Sequence, residues 1–244
     1  MRVSLVLIAM LVSTNAAAQA STTKSVEDER LRTDWADLRR YRDENARLGP
    51  PAPDEQRVVF MGNSITELWE TLDSSFFAGR SYVNRGVSGQ TTPQMLVRFR
   101  QDVIDLHPSV VVLLGGVNDI AENTGPTTLE AILGHIASMA ELARANGITV
   151  VLCSVLPASD FTWHHGLEPG PKIVKLNAMI RQYADAKHIV FVDYYPAMVD
   201  AQGGMKAEFT TDGVHPNLAG YRAMEPLARS GIQAALASAT RVGR

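Results

Sequence analysis

The sequence predicts an α/β fold, a three-layer, doubly wound, five-stranded parallel sheet in the flavodoxin-like order 2-1-3-4-5. Three observations lead there. From Arg57 onward, short Val- and Ile-rich runs alternate with longer amphipathic stretches, the pattern of strands buried on both faces and joined by covering helices. The stretches end at helix stops such as Asn146-Gly147, where glycine accepts the left-handed conformation that closes a helix. Polar, glycine-containing segments follow the apolar runs, and a doubly wound sheet binds its ligands beyond the carboxyl ends of its strands.

Met1-Arg2-Val3-Ser4 places one positive charge before the apolar run 5–12, and Ala16-Ala17-Ala18-Gln19-Ala20 supplies small residues for a signal peptidase. Residues 1–20 are therefore expected to be a cleavable export signal, giving a periplasmic or secreted protein. The run is too short for a stable membrane anchor, because a spanning helix needs roughly 20 apolar residues. No cysteine follows the small residues, which argues against a lipid anchor. Residues 21–56 are expected to hold an N-terminal helix over 26–48 and a stiff connector, Gly49-Pro50-Pro51-Ala52-Pro53. Residues 57–244 then form one sheet domain.

Within that domain, strands are expected near 58–61, 82–84, 110–114, 149–154 and 189–193. Helices fill the gaps at 66–72, 92–106, 127–146, 173–187 and 218–237, joined by right-handed crossovers. Cys153 is the only cysteine and sits in a strand pattern, so it reads as a small core hydrophobe with no internal disulfide available. A net charge of −3 offers no general attraction to nucleic acid or anionic lipid. The expected partner is a neutral or weakly charged small molecule or glycan.

The first strand runs into Gly62-Asn63-Ser64-Ile65-Thr66, the second into Asn84-Arg85-Gly86-Val87-Ser88-Gly89, and the third into Gly115-Gly116-Val117-Asn118-Asp119. In the order 2-1-3 these loops are neighbours. A fourth segment, Thr210-Thr211-Asp212-Gly213-Val214-His215-Pro216-Asn217, precedes the last helix. An Asp and a His three residues apart in such a loop can turn one way, so that the carboxylate orients the imidazole as a base. Taken singly, each segment has a plainer reading: Ser64 as a helix cap, Asn118-Asp119 as a turn, and Asp212 with His215 as a loop hydrogen bond.

These four segments resemble the successive blocks of SGNH (GDSL-like) hydrolases, and the resemblance covers residues 57 to about 230. It implies a serine esterase with Ser64 as nucleophile and Asp212 and His215 completing the triad. It also implies an oxyanion hole built from Ser64, Gly86 and Asn118, and no cofactor or metal. One departure is visible, since Asn63 stands where the family's first block has Asp. Asn keeps a carbonyl acceptor for local backbone bonds, so the turn is expected to survive. No Gly-x-Ser-x-Gly elbow surrounds Ser64, which disfavours an α/β-hydrolase fold.

The long segment 157–171 is expected to form a substrate wall, with Trp163 as a sugar- or acyl-contacting aromatic. Adjacent His164 and His165 lack ligand spacing and read as a polar rim, and His107 and His188 as structural. The leading expectation is hydrolysis of short, foremost acetyl, esters on a small molecule or glycan. A broad lysophospholipase or thioesterase and a non-catalytic glycan-binding module are the alternatives. Nucleotide binding is weaker still, since Asn84 to Gly89 lacks a full Gly-x-Gly-x-x-Gly.

Overall fold

A computed structural model describes residue 29 and residues 32–242. The expected export signal lies outside the described residues. Contacts divide the chain into a unit of residues 1–40 and a unit of residues 41–244. Within the described residues, no helix is long and apolar enough to cross a membrane.

The helix expected over 26–48 is not continuous. Residues 26–28, 30 and 31 lie outside the described residues. Beyond them, the Asp34 carboxylate accepts the Leu38 and Arg39 backbone N–H groups at 2.7 and 3.1 Å, and Asp37 takes the left-handed conformation at φ 53°. Short side chains that bond nearby backbone compete with a helix in this way. Residues 29, 32 and 33 are helical, residues 35–36 and 38–41 are turns, and the helix resumes as α1 (Arg42–Leu48). The segment after Arg40 belongs to the sheet's own unit: the Tyr41 hydroxyl donates to the Gly86 carbonyl, and Asn45 Nδ2 donates to Asp102 at 2.7 Å.

The sheet has the expected five parallel strands in the order β2-β1-β3-β4-β5. They are β1 (Val58–Gly62), β2 (Tyr82–Gly86), β3 (Val110–Leu114), β4 (Thr149–Cys153) and β5 (Val190–Val192). Every residue of β1 and β3 is buried, as a sheet covered on both faces requires. Gly62 at the end of β1 pairs with Gly86 on one side and Leu114 on the other, so the three following loops leave the sheet side by side. Order reverses between β1 and β3, where the first strand's loop lies in the crevice.

The helices are α2 (Ser64–Leu72), α3 (Ser74–Phe77), α4 (Thr92–Asp102), α5 (Val117–Ile120), α6 (Leu129–Ala145), α7 (Pro169–Lys187), α8 (Tyr195–Met198) and α9 (Leu218–Val242). Short helices α3, α5 and α8 carry no periodicity to read. α4 stops before the expected residue 106, giving way to a 3-10 turn at Ile104–Leu106. α7 begins four residues early because Pro169 occupies its first turn, where a missing N–H costs nothing.

Two contacts fix α2 and α9 over the active end. The rings of Trp69 and Phe76 stack at 4.6 Å, and Trp69 stacks on Tyr221 of α9 at 5.4 Å; such pairs contribute ~0.5–1.5 kcal/mol beyond the area they bury. The Tyr221 hydroxyl also donates to the Ile65 carbonyl at 2.9 Å. The loop that precedes α9 is thereby held in register with the first turn of α2.

Candidate active site

Ser64 occupies the first position of α2, capped by Asn63, whose Oδ1 accepts the Ile65 N–H at 3.1 Å. The cap oxygen survives the Asp-to-Asn departure, while the buried Asn63 Nδ2 finds no partner among the described residues. The Ser64 N–H, one of the free donors of a helix start, points along a dipole that favours negative charge.

Asp212 and His215 come together with Ser64. Ser64 Oγ lies 2.9 Å from His215 Nε2, and His215 Nδ1 lies 2.6 Å from Asp212 Oδ2. The other oxygen, Oδ1, accepts the Val214 and His215 backbone N–H groups at 2.9 and 2.8 Å. Partial burial pushes the Asp212 pKa up, but the hydrogen bonds from the His215 N–H, the His215 ring and the Val214 N–H outweigh it and hold the carboxyl at about 2. An ionised carboxylate only accepts, so the bridging proton sits on Nδ1. Nε2 is then the acceptor and the Ser64 hydroxyl donates to it, the protonation a general base requires.

Asn118 lies in α5 at the end of β3. Its Nδ2 donates one proton to the Gln90 carbonyl at 2.9 Å, which leaves the second amide hydrogen available. Gly86 is a correction. Its N–H donates to Asn84 Oδ1 at 2.9 Å within the buried end of β2, so it is not an oxyanion donor. Gly86 is glycine for packing: an added Cβ would lie 2.1 Å from the Glu67 backbone nitrogen. Gly86→Ala should lower stability by ~1–3 kcal/mol or more through overpacking, read as a shifted urea midpoint. Unchanged stability with lost turnover would return Gly86 to the oxyanion hole.

Gly89 is a second candidate in the same loop, which sequence reasoning did not single out. It sits at φ 77° in the exposed turn after β2, and its N–H takes no partner among the described residues. Two features of the sequence favour it over Gly86: it lies beyond the strand, and it precedes the capping box Thr91-Thr92-Pro93-Gln94 that opens α4.

Three side chains hold these loops together. Glu67, in the first turn of α2, accepts the Ser88 N–H at 2.8 Å and the Ser88 hydroxyl. Arg98, fully buried on α4, donates to the Gly62 carbonyl at 2.9 Å, to Gln90 Oε1, and to Asp102 at 3.0 Å. It thus ties the nucleophile loop to the residue that Asn118 contacts. Asp119 accepts the Thr92 N–H at 3.0 Å and the Thr92 hydroxyl at 2.5 Å; burial raises its pKa against those bonds.

Trp163 lies beside the site. Its ring centroid is 6.3 Å from that of His215, it is 45% exposed, and buried Phe161 supports it at 5.2 Å. His164 and His165 part company: His164 Nδ1 meets the Ala121 carbonyl at 2.9 Å, and His165 Nδ1 meets Asp160 at 2.7 Å. His107 and His188 are left-handed caps of a 3-10 turn and of α7. Cys153 is buried, and burial pushes its thiol up to about 12.

A family model described as the GDSL-like lipase/acylhydrolase family matches residues 60–223. Esterase TesA of Pseudomonas aeruginosa is 27% identical over 176 residues, spanning 67% of this chain and 81% of that protein. A solved GDSL-like lipase from Bacteroides thetaiotaomicron superposes with a TM-score of 0.80 at 49% identity, covering 83% of this chain and 100% of its own. Axe2, an acetylxylan esterase from Geobacillus stearothermophilus, shares the fold at a TM-score of 0.58 and 18% identity, over 72% of this chain and 94% of its own.

Proposed function

The chain belongs to the GDSL-like lipase/acylhydrolase family and is a carboxylic ester hydrolase, and from that premise we propose that it removes short acyl groups, acetyl foremost, from small-molecule or carbohydrate esters through an acyl-enzyme on Ser64. The observation that carries this reading is the hydrogen-bonded line from Ser64 through His215 to Asp212, with the half-exposed ring of Trp163 beside it.

The chemistry runs in two halves. His215 Nε2 takes the Ser64 hydroxyl proton as Oγ bonds to the ester carbonyl carbon, and the carbonyl electron pair moves onto its oxygen. The N–H groups of Ser64 and Gly89 and the second amide hydrogen of Asn118 receive that charge. Collapse breaks the bond to the alcohol oxygen, which leaves with the proton from His215. Water then attacks the acyl-enzyme, giving its proton to His215, and the acid departs as Oγ recovers a proton. Asp212 stays ionised and stabilises the imidazolium throughout.

Short-acyl preference follows from the scarcity of material around the site. Among the described residues, the long connections beyond the sheet and its helices are the 157–168 segment, which supplies a wall at Trp163, and the 199–217 segment, which carries Asp212 and His215. Each methylene buried in a pocket contributes up to about 0.8 kcal/mol, and one left wet contributes nothing. The test is kcat/KM for para-nitrophenyl acetate, butyrate, octanoate and palmitate, with acetate release from acetylated xylan. Acetate should be cleaved fastest and the rate should fall steeply with chain length. Preference for octanoate or palmitate would replace this reading with a lysophospholipase or thioesterase. Export to the periplasm or beyond belongs to the same proposal and rests on the charge, apolar run and small residues of positions 1–20.

A further inference from the structure

Asn123 lies in the turn that follows α5, one turn of chain beyond Asn118, and its side chain is occupied in two directions at once. Its Oδ1 accepts the indole N–H of Trp163 at 3.0 Å, and its Nδ2 donates to the Gly89 carbonyl at 3.1 Å. Its own backbone N–H donates to the Asn118 carbonyl at 3.0 Å. We infer that Asn123 is a positioning residue that sets the oxyanion loop at Gly89 and the aromatic wall at Trp163 relative to each other, so that one side chain governs both turnover and leaving-group selectivity. This rests on the acyl-enzyme reading above.

The residue type fits the task. An indole N–H only donates and a peptide carbonyl only accepts, so the bridging group must offer one acceptor and one donor from a single planar end. That requirement also fixes which amide atom faces which partner. Aspartate lacks the donor, and alanine lacks both groups. The turn itself is held in a special geometry, with Glu122 at φ 59° and Gly125 at φ 98°.

Neighbouring bonds stitch the same turn to the same two loops. The Thr124 hydroxyl lies 3.1 Å from the Thr91 hydroxyl, two residues beyond Gly89, and the Ala121 carbonyl meets His164 Nδ1, next to Trp163. Asn123 and Trp163 are exposed, so no buried group depends on the bridge for its solvation. Exposed hydrogen bonds of this kind add little to folding. A 1 Å displacement of an oxyanion donor, by contrast, is felt directly in the chemical step.

The experiment compares Asn123→Asp, Asn123→Ala and Asn123→Gln with wild type on para-nitrophenyl acetate and on an acetylated xylo-oligosaccharide, with thermal melting to establish folding. Asn123→Asp keeps the acceptor for Trp163 and sets a carboxylate against the Gly89 carbonyl. Its kcat should fall roughly 10- to 100-fold on both substrates, with KM for the oligosaccharide changed less than about twofold. Asn123→Ala should lose kcat and also raise that KM about fivefold or more, because the indole loses its anchor. Asn123→Gln, retaining both groups on a longer stem, should recover part of the kcat lost in Asn123→Asp. Equal effects of Asp and Ala on KM, or wild-type kcat in both, would overturn the bridge while leaving the esterase reading intact. Absence of turnover by the wild type on every ester would defeat that reading and this one with it.

Discussion

Ser64→Ala should fold like the wild type and lose ester turnover by about 10⁶-fold, the scale at which serine triads fail without their nucleophile. The substitution removes one oxygen from the first turn of α2. Asn63 still caps that turn, and Tyr221 still grips the Ile65 carbonyl, so nothing in the packing should move. His215→Ala should be comparably inactive, since, among the described residues, the group within hydrogen-bond reach of Oγ that can take its proton is Nε2. Combining the two should cost little more than either, because triad members act as a unit. Steady-state rates on para-nitrophenyl acetate for the two single variants and the double variant decide the matter. Losses that multiply would mean that serine and histidine serve separate steps.

The second large effect is expected at Asp212. Asp212→Asn should lower kcat by about 10⁴-fold without disturbing the loop. An asparagine in the same place still has an oxygen for the Val214 and His215 backbone N–H groups, which hold that side. Its amide nitrogen then faces His215 Nδ1, which must become the acceptor. The ring proton moves to Nε2, and the Ser64 hydroxyl loses its base. Because the carboxyl titrates at about 2, it remains charged above that pH. The acid limb of the wild-type pH–rate profile should therefore show no loss of this carboxylate between pH 3 and 5. Near-normal kcat in Asp212→Asn would mean that another group orients the imidazole.

The sequence made legible those features that depend on local pattern. β1 and β3 are unbroken apolar runs because both faces are covered, and Asp212 and His215 find each other within one loop. Strand order and the grouping of three loops followed from the alternation of strands and helices. The place of Gly89 beyond β2 and before the capping box was the one signal in the sequence that set it apart from Gly86; Asn84 reaching back to the Gly86 N–H and the positive φ at Gly89 are tertiary features that no local pattern carries. Arg98 carries no local pattern that marks it as buried. Its burial depends on acceptors from Gly62, Gln90 and Asp102, two of which belong to other segments. The break in the helix over 26–48 came from the Asp34 side chain outcompeting the backbone ladder. Asn123 escaped notice because its partners, Gly89 and Trp163, lie far from it in sequence.

Ser64 is the residue expected to form the covalent acyl bond. Incubation with a fluorophosphonate, followed by peptide mass mapping, decides whether it does. One adduct per chain is expected on the peptide carrying Ser64, absent in Ser64→Ala and formed far more slowly in His215→Ala. An adduct on any other residue, or stoichiometric labelling that persists in Ser64→Ala, would remove Ser64 from the reaction.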